Sequence, residues 1–253
     1  MFNHQLVSDE KQSLSEFRLC FRKGGGDSCS IPIQQLFNRQ ELTTLMTVLQ
    51  QKMQASNEKI TASIFSKRYS FVMVVPVLYS FSVLNKKMNI AKDNLFLEPS
   101  QSQDHWLPQI YLVDQTVNLP SGIEEREVMR RKLVNELFKN HLTVLWNELV
   151  AIWKIPKQIL WENTAIYLIW LYESLLKKDY PETTKQRIKA DFDFLLSNAE
   201  APLFGEFSSN PINPFYHEKK IIDGNEIRVR KTCCFSFYVE TKKMCKTCPR
   251  ICH

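Results

Sequence analysis

Four of the seven cysteines in this 253-residue chain, Cys233, Cys234, Cys245 and Cys248, fall within sixteen positions near its C-terminal end. Thiols at this density either close disulfides or, as thiolates, bind a thiophilic metal centre. A disulfide framework belongs to short exported chains. Here the N-terminus, Met1-Phe2-Asn3-His4-Gln5-Leu6-Val7-Ser8-Asp9-Glu10, has neither the basic start nor the apolar run of a secretory signal. Zinc and iron-sulfur remain. A zinc site normally brings two Cys-x-x-Cys hairpins to one tetrahedral ion, and only Cys245 to Cys248 has that form. Neighbouring side chains on an extended strand point to opposite faces, so the adjacent Cys233 and Cys234 suit one small ion poorly. A binuclear centre accepts more widely set sulfurs. The residues therefore favour an iron-sulfur cluster, with a zinc-binding structural or interaction module as the alternative.

The order Cys233-Cys234, ten residues, Cys245, two residues, Cys248, then Pro249, with Arg230 ahead of it, resembles the C-terminal signature of the FhuF-like ferric-siderophore reductases. Ser66-Lys67-Arg68-Tyr69, Leu160-Trp161-Glu162-Asn163, Phe204-Gly205-Glu206 and Asn210-Pro211 are also similar to that family's pattern, extending it from about Thr61 onward. The resemblance implies a 2Fe-2S cluster on Cys233, Cys234, Cys245 and Cys248. It implies one-electron reduction of Fe(III) in a siderophore chelate of the hydroxamate or citrate type, with Arg68 and Arg230 as candidate substrate-binding residues. Cys252 is expected not to be a ligand, since four thiolates and two bridging sulfides already complete two tetrahedral irons. A non-catalytic siderophore-binding protein is a second alternative.

The rest of the sequence is compatible with that expectation. A hydrophobic content of 44% with 24% charged residues is ordinary for a globular chain. The net charge of +6 favours an anionic partner, but the basic residues are spread out and not interleaved with aromatics, so nucleic acid is not expected. Lys242, Lys243 and Lys246 stand where they would offset the charge of a thiolate-bound cluster. Without a Gly-x-Gly-x-x-Gly after a strand, no nicotinamide or flavin site is expected, and electrons would come from a separate reductase or ferredoxin-like donor. Gly24-Gly25-Gly26 lacks the residues of a phosphate loop and reads as a turn. The apolar run Tyr69 to Asn85 is interrupted by Pro76 and serines and falls short of the ~20 residues of a membrane span. A cytoplasmic protein is expected, with association at the inner face of the membrane left open.

The elements that must carry the cysteines are mainly helical. Leu36, Leu42, Leu45, Met46, Leu49 and Met53 recur at helical spacing between Ile33 and Ala55, with Asn38 as a cap. A second helix, about Glu58 to Leu84, is apolar nearly all round from Phe71 and should form the core, kinked at Pro76. Phe17 to Phe21 alternates like a short strand, and Asn94 to Leu97 with Gln109 to Val113 reads as a hairpin or small sheet. Ser121 and Glu124 have capping-box form and open a helix reaching about Trp153, with His141 on its apolar stripe. Helices from Pro156 and from Glu182 to Ser197 follow, Asn163 lying among apolar positions of the first. The Asp223-Gly224-Asn225 turn predicts a hairpin that runs into Cys233. Cys20 and Cys29 are expected to be buried free thiols. The predicted architecture is α+β, a predominantly helical bundle with a small β-hairpin or sheet and a C-terminal iron-sulfur motif. Residues 1–60 form a strand and helix segment of the same domain, 61–222 the helical reductase core, and 223–253 the cluster-binding motif.

Overall fold

The computed structural model describes residues 2–23, 30–98, 106–239 and 244–252. Its centre is the packing of helix α3 (Glu58–Ser82) against helix α6 (Lys157–Leu175). Helix α3 is buried along almost its whole length because its apolar and small residues leave no polar face. Asn57 caps it, its side-chain oxygen accepting from Ile60 N at 3.0 Å. The helix runs unbroken through Pro76. Two of its serines are satisfied by facing side chains: Ser70 Oγ lies 3.0 Å from Thr164 Oγ1, and Ser82 Oγ donates to Asp191 Oδ2 at 2.7 Å. Packed on this pair are α2 (Arg39–Met53), α5 (Val144–Trp153) and α7 (Glu182–Asp193). The α+β expectation with a dominant helical bundle is met.

Asn38 caps α2 as expected, accepting from Gln40 N and Glu41 N, but the residues before it form a separate 3-10 turn, Ile33–Phe37. Helix α4 (Ile123–Val134) begins after Gly122, one residue later than the expected cap, and Ser121 donates from N and Oγ to Glu125, not Glu124. A π-helical segment, Asn135–Thr143, joins α4 to α5, and a second, Phe194–Asn198, extends α7. Neither is legible in a 3.6-residue period. His141 sits in the first of them, fully packed, with Nε2 2.6 Å from Tyr69 Oη, as a hydrogen-bonded core histidine should.

Two small sheets flank the helices. Strands β5 (Leu95–Glu98) and β6 (Gln109–Leu112) pair antiparallel with Leu95 opposite Leu112, as expected. They continue into a four-stranded sheet with β2 (Leu19–Cys20), parallel to β6, and β3 (Ile31–Pro32). The other sheet joins β1 (Phe2–Gln5), β7 (Thr116–Leu119) and β4 (Lys87–Met88), three strands that the sequence pattern does not announce. Short helix α1 (Ser8–Ser15) is likewise unannounced, because it buries only Leu14. The last hairpin, β8 (Lys220–Ile222) and β9 (Asn225–Ile227), turns on Asp223 and Gly224, both at positive φ. It ends earlier than expected, before Arg228.

Candidate metal centre and the cavity beside it

The cysteine motif is held against the core by residues of α3 and α6. Glu162, on α6, is 1% exposed, and its carboxylate accepts from Lys231 N at 2.6 Å, from Thr232 N at 2.7 Å and from Thr232 Oγ1. The next residue, Asn163, donates to Ser63 O at 3.0 Å and Ser66 Oγ at 2.9 Å, and its Oδ1 accepts from Arg230 Nη2 at 2.7 Å. Asn163 thus both satisfies a buried backbone carbonyl and fixes Arg230. Ser63 Oγ in turn donates to the carbonyl of Cys234 at 2.9 Å. Arg230 N donates to Thr247 O at 2.9 Å, tying the two halves of the motif together. Backbone before Cys233 is thereby fixed by side chains of α6 and by one backbone contact to Thr247, and not by a sheet.

The structure brings Cys234 Sγ to 3.7 Å from Cys245 Sγ. Two sulfurs each ~2.3 Å from one tetrahedral metal stand roughly 3.8 Å apart, so this pair fits a shared metal without movement. Cys245 O accepts from Cys248 N at 3.0 Å in a tight turn, and Cys248 is buried. Cys233 Sγ accepts from Phe235 N at 3.4 Å, with Phe235 in the left-handed region at φ 61°. Arg250, raised by its hydrogen bond to Tyr238, also lies within electrostatic reach of Cys233 and Cys248. Among the described residues, no group of three or more His, Cys, Asp or Glu is arranged to hold a metal ion.

Charge around the sulfur pair is positive. Lys67 Nζ, on α3, is 3.5 Å from Cys234 Sγ, and Ser236 Oγ is 3.1 Å from the same sulfur. Cys234 is pulled below the ordinary thiol range, first by its hydrogen bond with Cys245 and then by Lys67 and Arg230, against the opposing effect of burial. Cys245 is pushed up, by the same hydrogen bond first and then by burial. Arg230 is fully buried, with Nη2 3.6 Å from Glu162 Oε2, while its Nη1 has no partner among the described residues. A buried guanidinium N–H left open fits a site whose acceptor is supplied by a bound group.

Of the two candidate arginines, Arg230 is the one whose charge acts on Cys234 and Cys245. Arg68 donates to Trp106 O at 2.5 Å and lies 3.3 Å from Met53 Sδ, and burial lowers its pKa. Between them stands Tyr167, pushed up to about 12 by burial, with Arg230, Cys234, Arg68 and Cys245 all in electrostatic reach. Lys246 is exposed. Lys242, Lys243, Cys29, Gly24 to Gly26 and the Cys252 side chain lie outside the described residues. Cys20, half-buried, donates to Ile110 O at 3.3 Å and is raised to about 11 by burial, an inert thiol far along the chain from the motif.

Against the outer side of the motif opens a cavity of about 730 Å³. Lys246 and Thr247, which lie between two of the cysteines, form part of its wall, together with Trp170, Ile169, Lys177 and Arg228. Trp170 is 46% exposed. Another cavity, of about 620 Å³ around Lys92 and His141, shares none of the motif residues.

Residues 63–216 match the family described as ferric iron reductase FhuF-like transporter. The chain belongs to this family. The FhuF-like match contains Ser63, Ser66, Lys67, Glu162 and Asn163, the residues that grip the cysteine segment, and ends before the cysteines themselves. The description of that family names ferric iron reduction. No curated protein matches in sequence. Among solved structures, aerobactin synthetase IucC from a hypervirulent pathotype of Klebsiella pneumoniae is similar in fold, with 14% identity and a TM-score of 0.50. The similarity covers 76% of this FhuF-like chain and 37% of the synthetase. No helix among the described residues is long and apolar enough to cross a membrane.

The sequence pattern alone missed Glu162 as a site residue. Its signal was available, since an acidic side chain among the apolar positions of a core helix must find buried donors.

Proposed function

We propose that this protein is a ferric-siderophore reductase that holds a 2Fe-2S cluster on Cys233, Cys234, Cys245 and Cys248. The observation that carries this reading is the Cys234 and Cys245 pair at metal-sharing distance, gripped by the family-matched residues of α3 and α6. When bound, a 2Fe-2S cluster supplies one electron at a time at a potential set by charge, sulfur hydrogen bonds and exposure. Glu162 and Asn163 hold the backbone on which the cysteines sit, and Phe235 N, Ser236 Oγ and Lys67 Nζ direct donors at their sulfurs.

The substrate is Fe(III) in a hydroxamate or citrate-type chelate. The cavity beside Lys246 and Thr247 offers room for a bulky ligand one or two residues from the thiolates, with Trp170 as an apolar wall and Lys177 and Lys246 as cationic contacts. Addition of one electron gives Fe(II), for which hard oxygen donors have less affinity, and the metal leaves. Electrons come from a separate one-electron donor, and the reaction belongs to the cytoplasm, where thiolates persist.

Protein purified without air should be red-brown, with iron and acid-labile sulfide. Serine at any one of the four cysteines should remove or bleach the centre, while Cys20→Ser should not. Dithionite-reduced protein mixed with a ferric hydroxamate or citrate chelate and a ferrous trap should reoxidise as ferrous complex accumulates, and Trp170→Ala should raise KM. A colourless zinc-loaded protein would establish the structural alternative. A coloured centre that survives every ferric chelate class would leave a carrier without reductase activity.

A further inference from the structure

We propose that Lys67, reaching from helix α3 to the Cys234 sulfur, sets the reduction potential of the cysteine-bound centre. The inference rests on the cluster reading and goes beyond it, by naming the side chain through which the helical core acts on the electron carrier.

Helix α3 grips Cys234 with two successive turns. Ser63 Oγ donates to the Cys234 carbonyl at 2.9 Å, and Lys67, four residues on and therefore on the same face, brings Nζ to 3.5 Å from Cys234 Sγ. The peptide and the sulfur are thus registered against one rigid element. Lys67 is half-buried, and no carboxylate among the described residues lies within ion-pair distance of it. Its charge is directed at sulfur, with no competing partner among the described residues.

The other cations near the motif are less able to act in this way. Arg230 is closer to the backbone than to a free role, since it is bound to Asn163 Oδ1 and Thr232 O and faces the Glu162 carboxylate at 3.6 Å. That carboxylate offsets its charge. Lys246 is exposed, so water and salt screen it. Among the described residues, Lys67 is the cation with a contact to the Cys234 sulfur and no ion-pair partner, while Arg250 acts on Cys233 and Cys248. A cationic N–H donor stabilises the state with more negative charge on sulfur. One electron added to the centre makes it more negative by one charge, so Lys67 favours the reduced form and raises the potential. No proton or bond changes hands in this step.

The test is an anaerobic dye-mediated redox titration of the full chain, followed by visible absorption and electron paramagnetic resonance. Wild type, Lys67→Met, Lys67→Arg and Lys246→Met should be compared at equal iron content. Lys67→Met should shift the midpoint to a more negative value, Lys67→Arg should remain near wild type, and Lys246→Met should shift less than Lys67→Met. Should Lys67→Met lose its centre, Lys67→Gln keeps an N–H donor without the charge, and a lower midpoint there gives the same support. A Lys67→Met or Lys67→Gln protein with intact centre and a wild-type midpoint, or a shift no larger than that of Lys246→Met, overturns the proposal and leaves the cluster reading standing. A wild-type protein without visible colour refutes the cluster reading instead.

Discussion

Glu162→Gln changes one oxygen to an amide nitrogen and little else in volume, yet it should be among the most damaging substitutions in the chain. The Glu162 carboxylate accepts from Lys231 N, Thr232 N and Thr232 Oγ1, and it is the acidic partner of the buried Arg230 at 3.6 Å. Glutamine has a single accepting oxygen, and its NH2 group would face an N–H or O–H donor where an acceptor is required. The side chains of Glu162 and Arg230 are 2% and 0% exposed, so water cannot take over the lost contacts. Removing one member of a buried ion pair costs about 3–5 kcal/mol, because the other charge is left uncompensated. For a chain of this size that corresponds to a fall in Tm of about 6–20 °C. The loss should appear in thermal denaturation followed by circular dichroism without air, and iron content per chain should fall with it, since Lys231 and Thr232 precede Cys233. Adding Arg230→Met to Glu162→Gln should cost less than the sum of the two single changes. A variant within about 2 °C of wild type with full metal content would refute this account of how α6 holds the motif.

Three further outcomes follow from the core. Asp191 accepts from Ser82 Oγ, from both Arg126 terminal nitrogens and from Arg130 Nη1, so Asp191→Ala should destabilise by about 3–5 kcal/mol in urea unfolding without altering the visible spectrum. Gly205 has φ +126°, and an added Cβ would stand 2.9 Å from Thr143 Cγ2, so Gly205→Ala should cost about 1–3 kcal/mol and Gly205→Val more, measured the same way. Burial, and then the charge of Lys92, lowers His141 to about 3 in the folded chain. The unfolded value is ~6.5, so the unfolded state binds the proton first, and stability should fall as pH drops below about 6.5 by up to ~1.4 kcal/mol per unit. Above that pH His141 contributes no slope. His141→Gln should flatten the acid limb, and an unchanged slope between pH 6.5 and pH 5 would show that other groups carry it.

Spacing and residue type alone gave the helical core, the β5 and β6 pairing and the Asp223-Gly224 turn, because each is a local statement. An all-round apolar run such as Phe71 to Phe81 has nowhere to lie but inside. An Asp-Gly step supplies positive φ wherever it occurs. Strands β1, β4 and β7 were illegible because they are short and their pairing joins residues far apart in sequence. The π segments escaped because they interrupt the very period by which helices are read. What only the tertiary structure decided is the surroundings of the cysteines. The sequence shows Cys233 to Cys248 as a cluster of thiols, but not that Lys67 and Ser63 approach Cys234 from helix α3, or that Glu162 and Asn163 reach the motif from helix α6. Those contacts span large sequence separations, and their partners are chosen by how two core helices pack. Buried polar groups must be satisfied, but which donor meets which acceptor is settled only when the helices are in place.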